Sequence, residues 1–156
     1  MSLPVFVESQ DQIPEGMTDY YQDEMGPGLK RRFMSFAKLI EPEALADIKI
    51  RANALEEEIG RPGGGRGRAV NIDPGYLTAS ALVMATAKDF SHRIPLRQGI
   101  YAHLELLFTK TGVKTLDWTY PDLRRELCWA YFLTVRKAYL RQLRPDSAVR
   151  GFNPAG

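Results

Sequence analysis

A chain of 156 residues, 44% hydrophobic and 26% charged, has the composition of a globular protein that buries a core without disulfide or metal staples. Its formal net charge of +2 and pI near 8.7 fall short of the basic excess of an obligate nucleic-acid binder. One cysteine (Cys128) rules out an internal disulfide, and with no apolar run near the ~20 residues of a bilayer span and no evident secretory signal a cytoplasmic location without membrane contact is the expectation.

Residues 1–156 read as a single α+β domain, with Met1–Leu3 either native or a cloning scar. Pro4–Glu8 alternates as a short strand does, and Gln10–Gly16 reads as loop. Beyond Gly26-Pro27-Gly28, Leu29–Phe36 reads as a strand with Phe33 and Ser35 on one face and Met34 and Phe36 on the other. Lys30, Arg31 and Arg32 could clamp a phosphate there, or simply face solvent.

Glu41-Pro42-Glu43 suits the first turn of a helix, where backbone donors are unpaired and the dipole is positive. Leu45, Ile48, Ala52, Leu55 and Ile59 then form one apolar stripe, with Glu56, Glu57 and Glu58 on the outer turn. Gly60 closes the helix as a left-handed cap. The stretch Gly60–Arg68 is a glycine-rich basic loop without an aromatic platform, and a connector is the plainer reading than an RNA contact. It lacks the Gly-Lys-Ser/Thr of a nucleotide-binding loop.

Ala69–Ile72 reads as a short strand, Pro74-Gly75 as a turn, and Thr78 as the cap of a helix over Ala79–Lys88. Phe90–Leu96 and Ile100–Lys110 follow as strands joined through Arg97-Gln98-Gly99, and a second hairpin through Thr111-Gly112 leads into Val113–Trp118. A long helix is expected over Tyr120–Leu143, with Thr119 and Asp122 as a capping box. Its arc of Leu127, Cys128, Tyr131, Phe132, Val135, Ala138, Tyr139 and Leu143, widened by Trp129, Leu133 and Leu140, suits deep burial or a subunit interface. Cys128 reads as a small core residue. Pro145 stops the helix, and residues 145–156 are expected to be a mobile tail. The elements add up to an α+β fold: an antiparallel or mixed sheet, helices on one face, and the long C-terminal helix across it.

The runs NIDPGYL, FSHRI, GIYA and WTYPD, with TDYY and EMGPGLKRRF upstream, resemble a bacterial family, the domain-of-unknown-function family numbered 4416. The resemblance covers about Thr18–Asp122, and its motifs are long and irregular, hence specific. It implies no particular activity. Members usually carry a further strand and helix before the TDYY block, whereas seventeen residues precede Thr18 here, a difference that oligomerisation would offset.

With Arg97-Gln98-Gly99 as the loop, Leu96 faces Ile100, Ile94 faces Ala102 and Arg93 faces His103. Alternation then places Ile94, Leu96, Ile100, Ala102, Leu104, Leu106 and Phe108 on the core face. Ser91, Arg93, Tyr101, His103 and Glu105 share the other face. That polar face is either a solvated sheet surface or a ligand site, with Arg93 binding an anion and His103–Glu105 acting as an acid/base pair. His92 falls on the core face, opposite His103, which disfavours a shared metal; no cofactor motif is evident. Asn71 and Asp73 before Pro-Gly either lock a turn or meet a ligand beside a helix N-terminus. The candidate ligand-binding residues are therefore Asn71, Asp73, Arg93, His103 and Glu105, with a small anionic ligand as the expected partner and catalysis left open. The alternatives are a homo-oligomerisation module using the C-terminal helix, or a weak RNA binder.

Overall fold

The computed structural model describes residues 3–12, 30–60 and 69–144. The expected Gly-Pro-Gly turn, residues 61–68 of the glycine-rich loop and the 145–156 tail lie outside them. Strand β1 (Leu3–Gln12) and strand β2 (Lys30–Ser35) come first. A short 3-10 turn (Pro42–Ala44) leads into helix α1 (Leu45–Ile59). Five strands follow: β3 (Asp73–Leu77), β4 (Ala81–Thr86), β5 (Ile94–Pro95), β6 (Tyr101–Thr109) and β7 (Gly112–Thr115). A second 3-10 turn (Pro121–Arg124) precedes helix α2 (Glu126–Gln142).

The strands form one sheet in the order β2-β1-β3-β4-β6, with β5 and β7 both pairing with β6. Every pairing is antiparallel. The α+β class and antiparallel sheet are as expected, but the helices do not share a face. Leu82 and Met84 of β4 join Leu77, Leu106 and Phe108 beneath Phe132, Val135 and Tyr139 of α2. Val83 and Ala85, the alternate residues of β4, pack with Leu45, Ala46 and Ile50 of α1. The sheet is thus the middle layer, covered by one helix on each side.

That layering explains the largest misreading. Ala79–Lys88 has a helix-like composition, yet it forms the turn and strand of a β3–β4 hairpin. A strand buried on both faces carries a continuous apolar run, which periodicity cannot tell from a helix. Thr78 is a turn residue rather than a helix cap: its Oγ1 accepts from Ser80 N at 3.2 Å and Ala81 N at 3.0 Å. Pro74-Gly75 lies inside β3 rather than in a turn. Gly75 is there for clearance, because a Cβ would sit 2.5 Å from Met84 Sδ and 2.6 Å from the Val83 carbonyl oxygen.

Helix α1 is turned from its expected orientation, whereas α2 buries Phe132, Val135 and Tyr139 of its expected arc. On α1 the buried positions are Leu45, Ala46, Lys49, Ala52 and Glu56, whereas Leu55 and Ile59 are exposed. Glu56 therefore points inward, not to the outer turn. Gly60 does cap the helix, with φ of +53°. At α2 the capping box does not form: Thr119 is buried and Pro121–Arg124 winds as a 3-10 turn before the helix starts. The apolar arc is narrower than expected, since Leu127, Leu133 and Leu143 are exposed and Thr134, Lys137 and Arg141 share the outer side. No helix among the described residues is long and apolar enough to cross a membrane.

The hairpin register is as predicted, with Ile94 opposite Ala102 and Leu96 N donating to Ile100 O at 2.8 Å. Its faces are not. Ile94 and Leu96 lie exposed at the sheet edge. Leu82 pairs with Leu106 while Val83 pairs with Leu104, so Glu105 is the extra residue of a β-bulge. The bulge breaks the alternation, and His103 and Glu105 are buried at 1% and 0% exposure rather than spread over a solvated face.

Candidate functional site

Lys49 and Glu56 lie seven residues apart on α1, close to two helical turns, so both reach the same side. Glu56 Oε1 accepts from Ile72 N at 2.6 Å, and Lys49 Nζ donates to Ile72 O at 2.7 Å. The two side chains hold the residue just before β3 by both of its backbone polar groups. Ion pairing helps keep these charges buried: Lys49 Nζ is 3.8 Å from Glu56 Oε1 and 3.6 Å from Asp73 Oδ1. Asn71 Nδ2 donates to Asp73 Oδ2 at 2.7 Å. Lys49, Glu56, Asn71 and Asp73, together with Thr86, Lys88 and Tyr120, line a cleft of about 300 Å³.

A second cluster lies behind Tyr120. Strand β5 pairs with β6 only as far as Ala102, and β7 joins it from Leu106, which leaves residues 103–105 without a strand on that side. The segment after β7 closes this stretch. Trp118 Nε1 donates to Leu104 O at 2.8 Å, and Thr119 Oγ1 donates to Glu105 O at 2.5 Å while accepting from Leu116 N at 2.8 Å. Tyr120 N donates to Glu105 Oε2 at 3.0 Å.

His103 Nδ1 faces Glu105 Oε1 at 3.3 Å. The His103 ring meets Tyr120 edge-on at 4.9 Å and His92 at 4.8 Å, and His92 in turn stacks on Trp118. His92 is thus beside His103, not on the opposite face. Residues 91 and 92 form a turn ahead of a two-residue strand, so strand alternation does not extend to them. Arg93 completes the cluster, donating from Nη1 to Lys88 O at 2.7 Å and from Nη2 to the Tyr120 hydroxyl at 3.3 Å.

Burial is the main cause that pushes Glu105 up to about 7, against the Tyr120 backbone donor and the Arg93 charge, which pull it down. Burial also pushes His103 down to about 4, and the charges of Arg93 and His92 act in the same direction. Between about pH 4 and 7 both side chains are therefore uncharged, an imidazole and a carboxyl buried side by side.

The five residues chosen from sequence therefore fall into two adjoining groups. Asn71 and Asp73 line the cleft; Arg93, His103 and Glu105 lie outside its lining and pack around Tyr120, which belongs to both groups.

The family model described as Domain of unknown function (DUF4416) matches residues 4–139. The chain belongs to this family. The match is wider than the Thr18–Asp122 resemblance and takes in most of β1 and of α2. No curated protein and no solved structure matches the chain. In this DUF4416 chain the site residues that sequence reasoning missed are Lys49, Glu56, Thr119 and Tyr120. A signal for the first two was present: positions 45, 49, 52 and 56 are spaced four, three and four apart, a buried stripe with charges inside it. Tyr120 stands in the WTYPD run that carries the resemblance, but nothing in its spacing points to a cleft. Among the described residues, no group of three or more His, Cys, Asp or Glu side chains is placed to hold a metal ion.

Proposed function

We propose that this chain is a small-molecule-binding module whose site is the cleft over Lys49, Asn71, Asp73 and Tyr120. The convergence of buried and half-buried polar side chains on one concavity supports this reading. Arg93, His103 and Glu105 act from beneath as positioning residues that fix the Tyr120 ring and backbone.

The charges of the cleft favour a revision of the expected anionic ligand. Its lining carries Lys49 and Lys88 against Glu56, Glu57 and Asp73, so cations do not predominate. Arg93, the residue on which the anion expectation rested, lies outside the cleft lining and donates to the Lys88 carbonyl and the Tyr120 hydroxyl. A polar ligand without strong net negative charge fits this balance. A thermal-shift panel of metabolites grouped by charge tests the reading, because a ligand that binds only the folded state raises the melting temperature. A saturable shift that weakens in Asp73→Asn supports it. Shifts produced by polyanions alone and unchanged in that variant would contradict it.

A further inference from the structure

Lys49 carries an imbalance that the fold itself leaves open. Its side chain is 6% exposed, yet its ammonium makes a single hydrogen bond, to Ile72 O at 2.7 Å. Asp73 Oδ1 at 3.6 Å and Glu56 Oε1 at 3.8 Å attract it but lie beyond hydrogen-bond range. An ammonium has three donors, so two of them lack a hydrogen-bonded acceptor among the described residues. Lys49 and Asp73 both line the cleft. A buried donor left without an acceptor is costly, and a ligand that supplies the acceptor recovers that cost.

The neighbour of this donor decides the chemistry. The Asp73 carboxylate is a pure acceptor, 33% exposed, and Asn71 already donates to its other oxygen. A ligand group between Lys49 and Asp73 must accept from the first and donate to the second. A carboxylate or phosphate accepts only and would meet Asp73 with like charge. An ammonium donates only and would meet Lys49 with like charge. A hydroxyl does both and is neutral, and a neighbouring hydroxyl extends the same exchange to Asn71, which also lines the cleft.

Resting on the cleft as a binding site, we propose that its ligand is polyhydroxylated, with adjacent hydroxyls held between Lys49 and Asp73. A free sugar or cyclic polyol and the ribose of a nucleoside share this chemistry.

Isothermal titration of the full chain with glucose, ribose, myo-inositol and adenosine, each beside an available deoxy analogue, tests the proposal, with succinate and spermidine as ligands without hydroxyls. Saturable binding is expected for at least one hydroxylated ligand, weakened about tenfold or more by removal of one hydroxyl and by Asp73→Asn. Binding confined to the simple sugars and polyol identifies a saccharide site, and binding confined to adenosine identifies a ribose site; either supports the proposal. Lys49→Met is a second variant, read only if its circular dichroism matches wild type, and the same loss is expected there. Equal binding of parent and deoxy analogue overturns the proposal. Saturable binding of succinate or spermidine alone, lost in Asp73→Asn, overturns the hydroxyl assignment but leaves the cleft as a binding site. No binding by any of them overturns the hydroxyl assignment, and the broader metabolite panel then decides the fate of the cleft itself.

Discussion

His103 and Glu105 face each other 3.3 Å apart, fully buried, on a side of β6 that the bulge at Glu105 also gives to Leu106. Neither charge is stabilised by solvent, so the pair sets a pH dependence whose sign can be worked out. Glu105 keeps its proton in the folded protein to about pH 7, whereas its ordinary value is 4.5. Between those values the folded state holds more protons than the unfolded one, and stability falls as pH rises. His103 does the reverse. It takes up a proton only near pH 4 when folded, against an ordinary 6.5, so its contribution is present above 6.5 and lost as pH falls through 4. The two slopes oppose each other between about 4.5 and 6.5, and the Glu105 loss stands alone from there to about 7.

Glu105→Gln removes the falling component while keeping an acceptor for the Tyr120 backbone N–H. Its stability relative to wild type is expected to grow from pH 5 to pH 8 by roughly 3 kcal/mol, about 1.4 kcal/mol for each pH unit of the window. Urea unfolding at a series of pH values measures this. A difference that stays constant with pH would show that Glu105 is ionised across the range.

Glu56 is expected to matter far more than its neighbours. Glu56→Ala removes the acceptor for Ile72 N and leaves Lys49 buried with weaker pairing, at a cost of about 3 kcal/mol or more. Glu57→Ala, one residue along and exposed, should change stability by less than about 0.5 kcal/mol. Denaturant midpoints for the two variants check the contrast, and equal effects would refute the clamp on Ile72.

Gly75→Ala tests why Pro-Gly sits in a strand. The new methyl would meet Met84 Sδ and the Val83 carbonyl oxygen, and only the sulfur can move aside. A loss of about 1–3 kcal/mol is expected from overpacking. Met84→Ala in the same chain should not restore it, because the backbone contact remains.

Thr119→Val keeps the shape of the side chain but removes hydrogen bonds to Leu116 N and Glu105 O. Leaving those backbone groups unpaired should cost about 1–3 kcal/mol. Thr119→Ser keeps the hydroxyl and should lose less, which separates the bonds from the packing of the methyl.

These residues also show how far the sequence could be read. The β5–β6 register was legible because Arg97-Gln98-Gly99 is a recognisable turn that fixes which residues face each other. Helix α1 was legible in extent, since Pro42 and Gly60 mark its ends, but its inward face was not. Leu55 and Ile59 outweigh Lys49 and Glu56 on any hydrophobicity count, and it is the backbone of Ile72 together with the ion pairs to each other and to Asp73 that favours burial of the charges. Strand β4 was hidden because burial on both faces erases alternation. The Glu105 bulge has no local sequence mark; it arises from pairing with Leu82 and Val83, far away in the chain. The five polar residues chosen from sequence do lie near one another in space, around the cleft and Tyr120, while their burial and that common neighbour depended on tertiary contacts.

The most direct test of the cleft as a binding site is a crystallographic screen with a library of small polar fragments. Fragment density is expected between Lys49 Nζ and the Asp73 carboxylate, against the Tyr120 ring. Well-ordered fragments found only elsewhere on the molecule, with that cleft open to solvent in the crystal, would contradict it.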